Sequence, residues 1–274
     1  MRITHTLLLA FFAQVPVHAA EPSVPARPLI VAAVGEIPVA RLKMTEVMGR
    51  TGYEADESST PLLFPQTWEF KAGAVTSKVE IGLNLEPAVI EIPRNHEGIS
   101  LKPFESNPPT SQVKPKPVPA AGVEGPTMLI IHNRNPDKPW LDGFSSVFTT
   151  CQPMNPAKPS AVIINLSGAT LSYTGSDRTA HRISPGASAV APIFIHQERS
   201  IRMLPLTAAA GGKTYPLDVC PIDTSGNYSP VVVVYPSITQ PRKFRPLQVS
   251  VLQPSRAISP EKPAQVAATA APAN

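Results

Sequence analysis

The chain has 274 residues, of which 42% are hydrophobic, and its 24 basic and 20 acidic side chains give a net charge of +4. This hydrophobic fraction suffices for a core and excludes a wholly disordered chain. The small excess of positive charge argues against a nucleic-acid binder, because such a protein concentrates Lys and Arg on one element. The 34 prolines are more than twice the average usage of about 5% and exclude long helices, because proline removes a backbone donor and fixes φ.

The first twenty residues have the pattern of a secretory signal peptide. Arg2 supplies the positive start, Leu7–Phe12 forms a short apolar core, and small or compact residues precede the expected cleavage after Ala19 or Ala20. This core is too short to cross a bilayer, which takes about 20 residues. We therefore expect residues 1–20 to be removed and the mature chain to be exported to the bacterial periplasm or outside the cell, without a membrane span.

Residues 27–102 form the first predicted domain, and its pattern is β-rich. The strand-like runs are Leu29–Val34, Val79–Leu85, Ala88–Ile92 and Ile99–Leu101. Val39–Met48 fits either a helix that begins at Pro38 or one arm of an extended hairpin, and we favour the strand.

Residues 103–126 are predicted to be a proline-rich linker. Their sequence, PFESNPPTSQVKPKPVPAAGVEGP, has many prolines, almost no large apolar residues and no periodicity, which is typical of an extended, polyproline-like segment. The Ala/Pro-rich stretch 254–274 has the same character and is predicted to be a disordered tail.

Residues 127–253 form the second predicted domain, a succession of short strands. The predicted strands are Thr127–His132, Ser145–Cys151, Ala161–Leu166, Ala189–His196, Leu217–Cys220, Val231–Tyr235 and Leu247–Leu252. Turns rich in Gly, Pro, Asn and Asp separate them, a pattern typical of an antiparallel β-sandwich. The predicted fold class is therefore all-β, with two small antiparallel β-sandwich domains of the immunoglobulin or cupredoxin type joined by the linker.

Two local features refine this prediction. The runs Ala161–Leu166 and Leu171–Tyr173 flank Ser167-Gly168 and predict a hairpin of the scaffold, with the polar loop Thr174–His181 as an alternative ligand-binding tip. The phrases SKVEIGLNLEPAVIEIP and SAVIINLSGATLSYTG share a strand–turn–strand outline, which raises the hypothesis that the two domains are related.

Cys151 and Cys220 are the only cysteines in the sequence. Because export brings a chain into an oxidising compartment, we expect a disulfide between them, which would stabilise the fold by roughly 4 kcal/mol in the chain-entropy model. The alternative is a pair of buried thiols.

The sequence contains no recognisable reactive set, and we predict no catalytic residue, no cofactor and no metal ion. A type 1 copper site needs a His just downstream of its Cys ligand, but no His follows Cys220. A nucleophile elbow needs Gly-x-Ser-x-Gly, and Gly186–Val190 lacks the second glycine. Gly212-Lys213-Thr214 resembles the end of a phosphate-binding loop, but Tyr215-Pro216 prevents the helix that must follow.

Trp140 is the one candidate ligand contact. It lies in the proline-rich run NPDKPWLDG, where it either closes the end of a sandwich or stacks against a sugar ring.

Three functional hypotheses follow. The leading one is an exported, non-enzymatic structural or accessory protein of the bacterial cell envelope, whose partner is an unknown envelope protein or polymer and not a nucleic acid. The second is a secreted module that binds carbohydrate or an anionic cell-wall polymer. The third is an enzyme of unfamiliar type, with Asp, His and Ser residues brought together only by the fold.

Overall fold

Strands account for almost all regular structure in the computed structural model, which confirms the all-β class expected from the sequence. Trp140, Cys220 and the segments 1–25 and 259–274 lie outside the residues that the structure describes. The described ranges are 26–36, 42–47, 50–55, 64, 66–93, 98–104, 113–116, 125–133, 144–175, 178–196, 201–217, 219, 221–237 and 247–258.

Twenty strands and one short helix are present in these ranges. The first ten strands are β1 Ala26–Val34, β2 Leu42–Val47, β3 Arg50–Ala55, β4 Thr67–Ala72, β5 Val75–Glu80, β6 Ala88–Pro93, β7 Ile99–Pro103, β8 Val113–Lys116, β9 Thr127–Asn133 and β10 Phe144–Thr150. The others are β11 Ser160–Asn165, β12 Thr170–Thr174, β13 Ala180–Ile183, β14 Ser188–Pro192, β15 Phe194–His196, β16 Ile201–Met203, β17 Leu206–Ala210, β18 Lys213–Pro216, β19 Val231–Pro236 and β20 Leu247–Leu252, followed by the helix α1 Pro254–Ala257.

Four four-stranded sheets form the frame. Inner sheet 1 has the order β10-β9-β1-β6 and inner sheet 2 has the order β14-β11-β19-β20, each with a parallel central pair and antiparallel outer strands. Outer sheet 1 (β5-β4-β7-β8) and outer sheet 2 (β13-β12-β17-β18) are antiparallel throughout. The hairpins β2–β3 and β15–β16 are separate two-stranded sheets.

Three buried clusters join the four sheets into a stack. Outer sheet 1 packs on inner sheet 1 around Trp68 and Phe70. Inner sheet 2 packs on outer sheet 2 around Ile163 and Leu171. The two inner sheets pack on each other through a third cluster that includes Ile130, so each pair of adjacent layers shares a buried apolar cluster.

The apolar runs of the sequence are explained by this position of the inner sheets. In β1, Leu29 and Val31 face the cluster shared with outer sheet 1, whereas Ile30 and Ala32 face inner sheet 2. Because successive side chains of a strand point to opposite faces, a strand with a core on both sides must be apolar at every position. The same reason explains the run Val231–Val234 of β19, in which every residue is fully buried.

The finer prediction of two sandwich domains on either side of a linker is not confirmed. β9 and β10, which follow residues 103–126, complete inner sheet 1: β9 pairs in parallel with β1, and β10 pairs antiparallel with β9. The strand β8 lies inside the predicted linker and pairs with β7. Proline density thus indicated an extended backbone but did not show that this backbone joins a sheet, because strand pairing across many residues leaves no local signal.

The predicted hairpin around Ser167-Gly168 is wrong. Both of its strands exist as β11 and β12, but β11 pairs with β14 and β19, whereas β12 pairs with β13 and β17. The chain therefore crosses from inner sheet 2 to outer sheet 2 at this corner. Alternation alone predicts a strand but not its partner, since the corner contains the same small turn residues as a hairpin.

The two halves of the stack have the same topology. The pairs of equivalent strands are β1/β11, β4/β12, β5/β13, β6/β14, β7/β17, β8/β18, β9/β19 and β10/β20, because each pair holds the same place and direction in the corresponding inner or outer sheet. The phrases compared in the sequence lie mostly on β5–β6 and on β11–β12, which are not equivalent. A structural repeat exists, but those phrases do not align it.

Two further expectations have definite outcomes. The extended hairpin favoured for Val39–Met48 matches β2–β3, in which Met44 lies opposite Tyr53 and is 67% exposed. The tail predicted to be disordered from Pro254 instead begins with α1, whose Pro254 is buried. Ser255 fixes this turn, because its Oγ accepts a hydrogen bond from the Tyr228 backbone N–H at 2.8 Å.

Candidate functional site

A groove opens where the edges of the two inner sheets lie over each other. β10 is the edge of inner sheet 1 and β14 is the edge of inner sheet 2, and the groove between them has a volume of about 510 Å³. Its walls are formed by Thr127, Phe148, Thr149, Thr150 and Gln152 on one side and by Val162, Ser188, Ala189 and Val190 on the other. Hydroxyl, amide, aliphatic and aromatic groups therefore line it, and these bind by hydrogen bonding and apolar contact.

The backbone of β10 is oriented for pairing along this groove. The Cys151 N–H donates to the Pro126 carbonyl at 2.9 Å, which fixes the hydrogen-bonding pairs of the β9–β10 ladder. Because these pairs alternate in an antiparallel ladder, the backbone N–H and C=O groups of Phe148 and Thr150 point away from β9. On the facing edge, the Tyr173 hydroxyl donates to the Val190 carbonyl at 3.2 Å.

The sequence of β10 lacks the features that usually protect a strand edge. Natural edges carry charges, prolines or bulges that prevent pairing with another strand. β10 reads FSSVFTT and keeps a continuous register over its whole length. Most other edge strands of the stack carry a charged residue, a proline or both, namely β5 (VTSKVE), β6 (AVIEIP), β8 (VKPK), β13 (AHRI), β14 (SAVAP) and β18 (KTYP). The edge strand β20 (LQVSVL) shares the lack of charge and proline, but it lies at the edge of inner sheet 2 away from the groove.

Cys151 directly follows β10 and is a free, fully buried cysteine between the inner sheets. Burial raises the pKa of its thiol to about 12. Cys220 lies outside the described residues, so the predicted disulfide between Cys151 and Cys220 and the alternative of two buried thiols both stay predictions. The Cys151 thiol is held in the unreactive, protonated form, since the thiolate is the nucleophile.

Trp140 also lies outside the described residues, so its two interpretations stay predictions. Trp68, the other tryptophan, is fully buried and packs edge-on against Phe144 with ring centroids 4.7 Å apart. Within the described ranges, no group of three or more His, Cys, Asp or Glu side chains could hold a metal ion. No helix in the same ranges is long and apolar enough to cross a membrane.

A buried polar corner lies at the crossing from β11 to β12. The Asn165 side chain is completely buried, and its Nδ2 donates to the carbonyls of Ala169 at 2.8 Å and Ile183 at 3.1 Å. Its Oδ1 accepts from the Ser167 backbone N–H and from the Ser167 hydroxyl. These bonds give buried backbone groups on both sides of the crossing a side-chain partner.

A second polar cluster links the two inner sheets at the edge away from the groove. Asn84 hydrogen-bonds the Gly35 backbone, and its Oδ1 also accepts from the Ser250 hydroxyl at 2.8 Å. The Tyr235 hydroxyl lies 3.0 Å from Ser250 Oγ, and burial raises the pKa of this phenol. Sequence reasoning missed this cluster, because its members are separated by up to 215 residues in the sequence. The one local indication was Asn84 itself, which lies in a turn and adopts a positive φ of 56°.

The turn before β19 and α1 form a third polar contact. Hydrogen bonds from the hydroxyl and the backbone N–H of Ser225, with a smaller effect of Arg256, hold the pKa of Asp223 below its ordinary value. Arg256 lies 3.3 Å from Asp223 and 3.9 Å from Glu86 of the β5–β6 loop. Because all of these side chains are exposed, the ion pairs contribute little to stability and serve to orient α1.

Comparison with known proteins gives no family for this chain. No protein-family model matches it, and no curated protein matches it.

Proposed function

We propose that this protein is an exported, non-enzymatic structural or accessory component of the bacterial cell envelope. The observation that best supports this proposal is the use of polar side chains to hold strands and loops together. Asn165 and Ser167 secure a chain crossing, and Asn84, Ser250 and Tyr235 hold the two inner sheets together. These groups stabilise a rigid frame, whereas catalytic groups face a site where they can meet a substrate.

The proposal is tested by fractionation and by activity screening of the same preparation. The native protein is expected in the periplasmic or extracellular fraction, processed after Ala19 or Ala20, and a pull-down from the envelope should recover a specific polymer or protein. Panels of ester, glycoside and peptide substrates should show no turnover. Robust turnover that a single substitution abolishes would contradict the proposal, as would an unprocessed protein in the cytosol.

A second function, the binding of carbohydrate or an anionic cell-wall polymer, is supported by a separate feature. Tyr173 and His181 stack at the edge of outer sheet 2, with ring centroids 5.1 Å apart and an angle of 19° between the planes. Stacked rings at an exposed edge offer a flat surface of the kind that sugars contact.

A glycan array with wild type, Trp140→Ala and His181→Ala tests this second function. If either ring contacts the ligand, its substitution should remove most of the binding. Lys213→Ala, on the far edge of the same sheet, is the matched exposed control. Binding that persists in both ring variants would contradict this function.

A further inference from the structure

Among the described residues, no strand pairs with the outer edge of β10, which lies beside a groove, and the chain itself contains a segment suited to cover it. β10 is uncharged and regular, and Phe148 and Thr150 direct backbone donors and acceptors away from β9. An extended peptide that adds to such an edge gains main-chain hydrogen bonds, while pockets along the groove select its side chains. The groove walls carry no ionisable side chain, so an uncharged segment fits them.

The residues after α1 have this composition. Ala264–Ala271 reads AQVAATAA, which is eight uncharged residues without proline, and Pro263 and Pro272 bound it on both sides. β10 has seven residues, so the two lengths match. Proline cannot donate to a ladder, and the flanking prolines therefore delimit the part of the tail able to pair.

The point where the tail leaves the stack lies close to the groove. The Ser229 N–H donates to the carbonyl of Gln152, a groove residue, at 2.8 Å. The adjacent Tyr228 N–H donates to Ser255 Oγ of α1, also at 2.8 Å. α1 is thus connected to the groove through two hydrogen bonds to the adjacent residues Tyr228 and Ser229. The five residues 259–263, which join the end of the described chain to Ala264–Ala271, span up to about 18 Å when extended.

We propose that the segment Ala264–Ala271 of the same chain occupies this groove as an added strand on β10. Alanine side chains contribute little contact and are depleted in strands, so the main-chain hydrogen bonds and the short tether supply the affinity. A short flexible tether gives an effective concentration of about millimolar, which suffices for a weak strand addition in cis. The facing residues Ser188 and Val190 of β14 form the opposite wall.

Backbone amide exchange of the full mature chain tests this assignment. Removal of residues 259–274 should speed exchange at the Phe148 and Thr150 amides about tenfold or more, because added-strand hydrogen bonds protect amides from solvent. Exchange in the buried strand β19 should not change. A synthetic peptide of residues 264–271 at millimolar concentration should restore protection to the truncated chain, and protection in the full chain should not vary on dilution.

Two matched pairs of full-length variants keep the test independent of truncation. Ala267→Pro inside the segment should expose β10, whereas Ala273→Pro beyond Pro272 should not. Val190→Lys should place a charge in the groove and release the tail, whereas Ile195→Lys, at a comparably exposed apolar site on β15, should not. Equal β10 exchange in all chains would overturn the proposal, and protection that is lost on dilution would assign the edge to a second copy instead.

Discussion

Replacing Asn165 by alanine removes four hydrogen bonds from a corner that water does not reach. The side-chain amide donates to the carbonyls of Ala169 and Ile183, and its oxygen accepts twice from Ser167. The Ser167 hydroxyl also accepts from the Ala169 N–H at 3.2 Å. One side chain thus satisfies backbone groups on both sides of the crossing from β11 to β12.

The magnitude follows from counting the groups that lose a partner. In Asn165→Ala, two carbonyls and one backbone N–H are left buried without this partner, and each such group costs about 1–3 kcal/mol. Partial relaxation of the corner lowers the total, so the free energy of unfolding should fall by about 3–5 kcal/mol. This is a large part of the 5–15 kcal/mol typical of a folded protein.

Urea denaturation followed by tryptophan fluorescence measures this change. Asn155→Ala is the matched control, since Asn155 Oδ1 accepts a single exposed hydrogen bond from the Ala157 N–H, and it should cost less than about 1 kcal/mol. Asn165→Asp keeps the acceptor but points a carboxylate oxygen at two carbonyls, so its stability should decrease as the pH rises above about 4. Equal losses for Asn165→Ala and Asn155→Ala would refute the role given to the corner.

Three further substitutions have defined outcomes. Burial raises the pKa of the Cys151 thiol from 9.0 to about 12, so between those pH values only the unfolded chain releases this proton, and the free energy of unfolding should fall by about 1 kcal/mol per pH unit. Cys151→Ala should flatten this decrease in urea titrations at alkaline pH. An unchanged slope would contradict the assigned burial. Gly125→Ala should lower the free energy of unfolding by about 1–3 kcal/mol, because the added Cβ would overlap the Cys151 carbonyl. Gly168→Ala is the control, since a Cβ at that position meets open space. Equal melting temperatures for the two variants would count against this packing. Asn84→Gly keeps the positive φ but loses the hydrogen bonds between the inner sheets, so it should lower the free energy of unfolding by about 1–2 kcal/mol and speed amide exchange in β20. Unchanged exchange in β20 would disprove the role of Asn84 in linking the inner sheets.

Strands were predictable where burial on both faces requires an unbroken run of apolar residues. The runs at β1, β9, β11 and β19 are apolar because the inner sheets have cores on both faces, and each was expected close to its observed bounds. Strands of the outer sheets were harder to detect. β4, β17 and β18 were missed, because a strand with one wet face mixes polar and apolar residues, and TWEFKA or KTYP resembles a loop.

Pairing was not predictable from local patterns. The partner of β1 lies beyond the proline-rich stretch, and the two strands around Ser167-Gly168 belong to different sheets. The groove is likewise a product of pairing, since it forms where β10 and β14 end their sheets. A lack of charge in β10 was visible in the sequence, but it becomes informative only once β10 is known to be an edge.

The topological repeat gives one polypeptide the plan of a twofold dimer, and its two ends have diverged. On outer sheet 1 the register places Glu69 between Lys78 and Lys102, with Lys102 Nζ 2.8 Å from the Glu69 carboxylate. On outer sheet 2 the corresponding surface presents Ser172 between Arg182 and Thr207. A symmetric pair of identical subunits would show the same face twice, whereas this fused pair shows a glutamate–lysine ion pair at one end and an arginine beside two hydroxyl side chains at the other, so its two outer faces differ in chemistry.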